Sequence, residues 1–224
     1  MTGRTVRMIL LRHGHVASHQ GDLPLTDEGR HRAERAGVGL RRAGTDLVAM
    51  FAGPALRARE TADAFAAGFT SVGPSARVVS SRVSPALRNP DLWLAGERVE
   101  MVSTAAAFCD QVRGLTECEC LEVPFFAGFL SAPDRIAWWL HCKHPPGDDA
   151  AGVAARVAAF AVSLLDAPGR FPPVVVGVTH SPVLRAIALE FLREDPGEPD
   201  YLTGYSVLAT EGGAVSVEVS SGLG

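Results

Sequence analysis

Three runs of the chain are apolar without a break: "MILL" at residues 8–11, "LVAMFA" at 47–52 and "VVVGV" at 174–178. Runs this short, flanked by turn residues, predict strands buried on both faces, as in a parallel sheet. Between them the period changes. In "LTDEGRHRAERAGVGLRRAG" the positions Ala33, Ala36, Gly37 and Leu40 recur at helical spacing, with Thr26 as N-cap and Asp27 and Glu28 in the first turn. "PALRARETADAFAAG" predicts a helix with Pro54 near its start, and "ARVVSS" a third, shorter strand. Later come an Ala-rich helix in "DDAAGVAARVAAFAVSLLD" and a second one in "SPVLRAIALEFL", with Ser181 as N-cap and Pro182 at N1. "YLTGYSVLAT" and "GAVSVEVS" alternate and predict two edge strands around "EGG".

This alternation of strand and helix predicts an α/β fold, a three-layer sandwich with a mostly parallel central sheet, helices on both faces and an antiparallel edge strand. Residues 84–150 break it. They hold all three tryptophans, all four cysteines and the "HPPGDD" loop. The expectation is one domain over 1–224, with a long insertion after the third strand at about 90–150.

Composition changes this picture little. Of 224 residues 47% are hydrophobic, and the net charge of −4 favours neither nucleic acid nor an anionic membrane surface. No run approaches the roughly 20 apolar residues of a membrane span, and "MILL", broken by "RHGH", is too short for the apolar core of a signal segment, so none is expected. The cysteines are therefore expected as reduced thiols of a cytoplasmic protein. Cys118 and Cys120 beside "HCKH" are spaced by one residue, where zinc pairs normally have two to four, so neither metal nor cofactor is expected.

The chemistry collects at the strand ends. The first apolar run meets Arg12 and His13, the last meets His180, and Arg57 lies in the first turn of the helix after the second. Ligands of parallel sheets sit where strands end and helix N-termini begin. Two imidazoles and two guanidiniums at three such ends predict a site for a phosphate-like polyanion.

The same residues carry a resemblance. "LLRHG", "LTDEG", "PALRARETADAF" and "VTHSPVLRAIAL" stand in the order of four blocks of the histidine phosphatase superfamily, whose fold is shared with cofactor-dependent phosphoglycerate mutases. The likeness spans roughly residues 6–90 and 150–210. It implies that His13 takes the phosphoryl group as a phosphohistidine, with Arg12, Arg57 and His180 around the phosphate oxygens. A backbone carbonyl at Gly14 is then expected to hold the second ring N–H and fix the tautomer. The implied activity is hydrolysis of a small phosphorylated metabolite. A phosphohistidine phosphatase, a phosphomutase and a catalytically weak phosphate-binding protein are the alternatives, and a homodimer is left open.

The chain departs from the family where the proton donor belongs. The usual Glu after the third strand is Asn89, and the Asp that follows the second histidine in the other branch is Ser181. Asp91 is the first candidate to replace it, with Glu97 or Glu100 next. Otherwise the leaving group needs no acid. His19 stands where related chains often carry an Asn that touches phosphate, and together with Ser181 it is expected to bind substrate. His15 replaces the usual Glu or Gln after the glycine. Phe125, Phe126, Phe129, Trp138 and Trp139 are expected to pack the insertion, some of them along the pocket.

Overall fold

The computed structural model describes residues 4–18, 21–167 and 174–220. The three apolar runs form the strands they predict. In chain order the elements are β1 (Thr5–Arg12), α1 (Asp27–Arg42), β2 (Leu47–Ala52), α2 (Leu56–Ser71) and β3 (Arg77–Val83). Next come β4 (Leu92–Leu94), β5 (Glu97–Val99), α3 (Ala105–Cys109), α4 (Glu117–Glu122), α5 (Pro124–Ser131) and α6 (Arg135–Leu140). The chain closes with α7 (Ala150–Ser163), β6 (Val174–Thr179), α8 (Ser181–Ile187), β7 (Gly204–Thr210) and β8 (Val215–Val219).

The central sheet runs β3-β2-β6-β1-β7-β8. The first four of these strands are parallel to one another, and β7 and β8 join antiparallel. Only β8 of the last two is an edge. β7 pairs on both sides, which corrects the expectation of two edge strands.

Side chains alternate along each strand, so the sheet buries two cores. Ile9, Leu11, Val48, Met50, Val176 and Val178 face α1 and α2. There the two helices touch backbone to backbone: a Cβ at Gly37 would land on the Phe65 carbonyl, and one at Gly68 on that of Glu34. The small-residue face of α1 exists for this approach. Met8, Leu10, Ala49, Phe51 and Val175 face the other way, into a larger core shared with α7, α8 and the segment after β3.

That segment has its own aromatic packing. Phe126, Phe129 and Trp139 are buried, Phe108 meets Phe126 edge-on at 4.8 Å, and Phe125 meets Trp138 at 5.1 Å. Apart from Phe129, which also lines the cavity described below, the expected aromatics pack core.

Two helix starts repay comparison. Thr26 caps α1 as expected, its hydroxyl accepting from the Gly29 N–H at 3.0 Å. α8 instead has His180 at its N-cap, Ser181 as its first residue and no side-chain cap. The Ser181 hydroxyl is used elsewhere.

Candidate active site

Strand register decides where the histidines lie. Arg12 pairs with Thr179, and the His13 N–H continues the ladder by donating to the Thr179 carbonyl at 2.9 Å. The next residues, His13 and His180, therefore leave adjacent strands at the same level, with ring centroids 5.3 Å apart. Gly53, just past β2, leaves room for them. A Cβ there would collide with the Leu87 carbonyl and reach contact with His180 Nε2.

His13 is 2% exposed and its tautomer is fixed. Nδ1 lies 2.8 Å from the Gly14 carbonyl oxygen, which can only accept. Nδ1 therefore carries a proton, and in the neutral ring the lone pair is on Nε2. The Gly14 N–H donates to Thr61 Oγ1, whose hydroxyl donates to the Arg57 carbonyl at 2.6 Å. One short chain of bonds thus ties the histidine loop to the first turns of α2.

Arg12, His13, Arg57 and His180 line one cavity of ≈ 680 Å³, together with Asn89 and Ser181. All four charged or titratable members are less than a tenth exposed. Two guanidiniums with so little water need counter-charge. Arg57 has Asp22 at 3.7 Å, and Asp22 also accepts from the Leu56 N–H at the start of α2. Burial pulls the Arg57 guanidinium below its ordinary range, against Asp22 and Glu100, and nearby Arg12 adds to the lowering.

The partners of Arg12 come from the connection between α8 and β7. Its guanidinium donates to the Pro199 carbonyl, pairs with Glu198 at 2.7 Å and lies over the Tyr201 ring, 4.1 Å from the centroid. The Tyr201 ring also faces those of His13 and His15. Glu198 lines the cavity too, and its second carboxylate oxygen accepts from the Ser181 hydroxyl at 2.5 Å. Glu198 and Tyr201 carry no pattern signal in the sequence. A Pro- and Gly-rich acidic stretch, "EDPGEPDY", directly before a strand that neighbours β1 is the feature that could have pointed to them.

The outer wall belongs to the segment after β3: Met101, Val102, Phe129 and Ile136, with Arg135 and Asp134 beside them. Asp134 also caps α6 and grips Arg185 of α8 with both oxygens, at 2.9 and 2.7 Å. Asp195 grips the same guanidinium at 2.8 and 2.6 Å. Arg185 is fully buried. Burial works against its charge, but Asp195 and Asp134 outweigh it and raise its pKa, while Arg185 holds both carboxyls below their usual range.

The structure does not bring Asp91 to this group. Its carboxylate accepts from Arg88 Nε at 2.7 Å and Arg98 Nε at 2.5 Å, and it does not line the cavity. Burial opposes its charge, yet Arg98 and Arg88 hold it below the usual carboxylate range. Glu97 and Glu100 are exposed and do not line the cavity either. His19 lies outside the described residues. His15 faces solvent, with Nδ1 2.9 Å from the Thr26 hydroxyl. Among the described residues no group of three His, Cys, Asp or Glu side chains is arranged to hold a metal, and no helix is long and apolar enough to cross a membrane.

Residues 8–88, which run from within β1 through α1, β2, α2 and β3 and stop just before Asn89, match one family model. It is that of the histidine phosphatase superfamily, branch 1. No curated protein matches the chain in sequence. Solved structures match along nearly its whole length. A mycobacterial glucosyl-3-phosphoglycerate phosphatase in its native state is 20% identical with a TM-score of 0.61, over 97% of this chain and 98% of that one. A phosphoglycerate mutase from Bacillus anthracis is 14% identical with a TM-score of 0.58, over 99% and 95%. The protein histidine phosphatase SixA, complexed with tungstate, is 15% identical with a TM-score of 0.55, over 97% of each. At such identities the likeness shows the fold: this chain has the phosphoglycerate mutase-like architecture of the histidine phosphatases, as the motifs implied.

Proposed function

We propose that this protein is a phosphomonoesterase that hydrolyses a small organic phosphate through a phosphohistidine on His13. The observation that carries the reading is the Nδ1 contact of His13 with the Gly14 carbonyl, which makes Nε2 the nucleophilic nitrogen of the neutral ring, in a residue that lines one cavity with Arg12, Arg57 and His180. A phosphatase fold match and phosphatases among the structural neighbours support it.

In this reading Nε2 attacks phosphorus, the bond from phosphorus to the ester oxygen breaks, and the alcohol departs. Water then attacks the phosphohistidine, and the P–N electrons return to Nε2. A displacement of this kind is limited by charge on the transferring oxygens. Guanidiniums already placed at the strand ends, Arg12 over the Tyr201 ring and Arg57 beside Asp22, meet that charge. The covalent intermediate divides one hard displacement into two. Charge compensation by arginine leaves no step that needs a metal, so full activity is expected after exhaustive chelation.

The apolar side chains beyond the strand ends suit an organic phosphate ester. Met101, Val102, Phe129 and Ile136 would cover the organic part of a bound ester, while its phosphate meets the strand ends.

The test is chemical trapping. Protein quenched with denaturant during turnover of a phosphate-labelled ester should carry label that is stable to base and lost in acid, on the peptide containing His13. Label on no histidine, with turnover intact, would overturn the covalent route.

A further inference from the structure

An ester of an ordinary alcohol leaves as a strong base, so some group must give that oxygen a proton. Asn89 lines the cavity where an acid is expected, and a carboxamide has none to give. Among the described residues that line the cavity, two carry carboxyls, Asp134 and Glu198. Asp134 is committed: both oxygens bind the Arg185 guanidinium, and one also caps α6. Glu198 is placed differently. One oxygen rests on Arg12 at 2.7 Å and the other accepts from Ser181 at 2.5 Å, next to His180, and its side chain is 53% exposed. A group bonded to the guanidinium that must hold phosphate is a neighbour of the ester oxygen once phosphate arrives.

We infer that Glu198 is the proton donor of the reaction, replacing the acid that Asn89 and Ser181 both lack. The inference rests on the hydrolase reading above. In the unliganded protein the carboxylate occupies Arg12, as a phosphoryl oxygen would. An arriving phosphate competes for that guanidinium. It removes the counter-charge from Glu198 and sets a like charge beside it. The Ser181 hydroxyl keeps the freed side chain at the mouth of the site.

The bookkeeping of atoms closes. As Nε2 of His13 bonds to phosphorus and the ester P–O bond breaks, the Glu198 carboxyl passes its proton to the departing oxygen, giving the alcohol and a carboxylate. In the second step the carboxylate takes a proton from water as the water oxygen bonds to phosphorus. The P–N bond breaks, inorganic phosphate leaves, and the carboxyl is restored.

General acid catalysis contributes about 10² to 10⁴-fold, and chiefly when the leaving oxygen is basic. Glu198→Gln should therefore lower kcat/KM for an alkyl phosphate by about 10²-fold or more relative to its effect on p-nitrophenyl phosphate. The same variant should bind inorganic phosphate, read as product inhibition, more tightly than wild type, because a competing anion is gone. Glu198→Asp, which keeps the acid on a shorter arm, should recover part of the alkyl-ester rate, and Ser181→Ala should lose part of it. Equal loss on both esters, or no loss on either, would overturn the assignment, as would Glu100→Gln shifting the ester ratio while Glu198→Gln does not. The hydrolase reading fails separately: a wild-type protein that turns over neither ester and takes no label on His13 refutes that reading itself.

Discussion

The two walls of the cavity are built by different means. The inner wall, Arg12, His13, Arg57 and His180, stands on the ends of β1 and β6 and the first turn of α2, and sheet register puts its parts level. The outer wall stands on the segment after β3 and on the α8–β7 connection, and it is fastened by ion pairs. Arg185 joins α8 to Asp134 and Asp195, Arg12 holds Glu198, and Arg88, Arg98 and Arg156 hold Asp91 and Asp148. Hydrophobic burial shapes a surface but has no direction, whereas a guanidinium fork sets where a carboxylate must sit. An inner wall fixed by sheet register can stay as it is while an outer wall fastened by ion pairs is rebuilt, Glu198 being the point where the two meet.

The comparison is most sharply tested at His13. If the inner wall alone carries phosphoryl transfer, His13→Ala should reduce p-nitrophenyl phosphate turnover by on the order of 10⁴ to 10⁶-fold, the range seen when a nucleophile is removed. Thermal stability should change little by comparison. A variant that kept a large share of the rate would mean that the reacting group lies elsewhere in the cavity.

Next in size is Arg185. Replacing it with Met leaves Asp134 and Asp195 without their shared counter-ion, and breaking a buried pair from one side costs about 3–5 kcal/mol. The loss should be local at first. All three tryptophans (Trp93, Trp138 and Trp139) lie in the segment after β3, so their fluorescence reports its docking. In Arg185→Met the fluorescence transition on heating should come before the loss of far-ultraviolet circular dichroism. A single coincident transition, as in wild type, would show that the outer wall is not a separate layer. Acid gives the same test without mutation. Asp134 and Asp195 are held below their usual range, so their contribution is complete above the ordinary carboxylate pKa and is lost as pH falls through the lowered values. Wild-type fluorescence should therefore change at acid pH, and Arg185→Met should show that state already at neutral pH.

This division also explains what could be read from the sequence. The inner wall was legible because strand and helix periods place residues by counting. An apolar run ends in Arg12 and His13, another ends in His180, and Thr26 stands where a helix must start. The outer wall has no period. Glu198 and Tyr201 meet Arg12 across nearly the whole length of the chain, from a connection whose course depends on Arg185 and Asp195 finding each other. Ser before a helix is usually a cap, which is why the pattern puts Ser181 there, but its hydroxyl donates to Glu198. Asp91 lies two residues from Asn89, which is why the sequence points to it as the acid. Nearness in sequence placed it correctly on the segment and said nothing of the two arginines facing it.

The smallest effect is expected at Asp91, and it decides whether the outer wall's ion pairs serve chemistry or position. Its carboxylate is mostly buried between Arg88 and Arg98, while the backbone N–H of Asp91 donates to Asp148 and its carbonyl accepts from the Asp148 N–H. Asp148 in turn accepts from Arg156 of α7, whose guanidinium also donates to the carbonyls of Ala86 and Arg88. The cluster braces the β4–β5 hairpin against α7. Asp91→Asn keeps the shape and one acceptor oxygen but removes the charge, and Arg98 is half exposed, so water can replace part of what is lost. Pairs of this partly exposed kind contribute about 1 kcal/mol or less. The variant should lower the denaturation midpoint slightly and leave the ratio of alkyl to aryl ester turnover at the wild-type value. A fall in that ratio as large as Glu198→Gln produces would return the proton to Asp91, and would require the hairpin to swing its carboxylate away from both arginines when substrate binds.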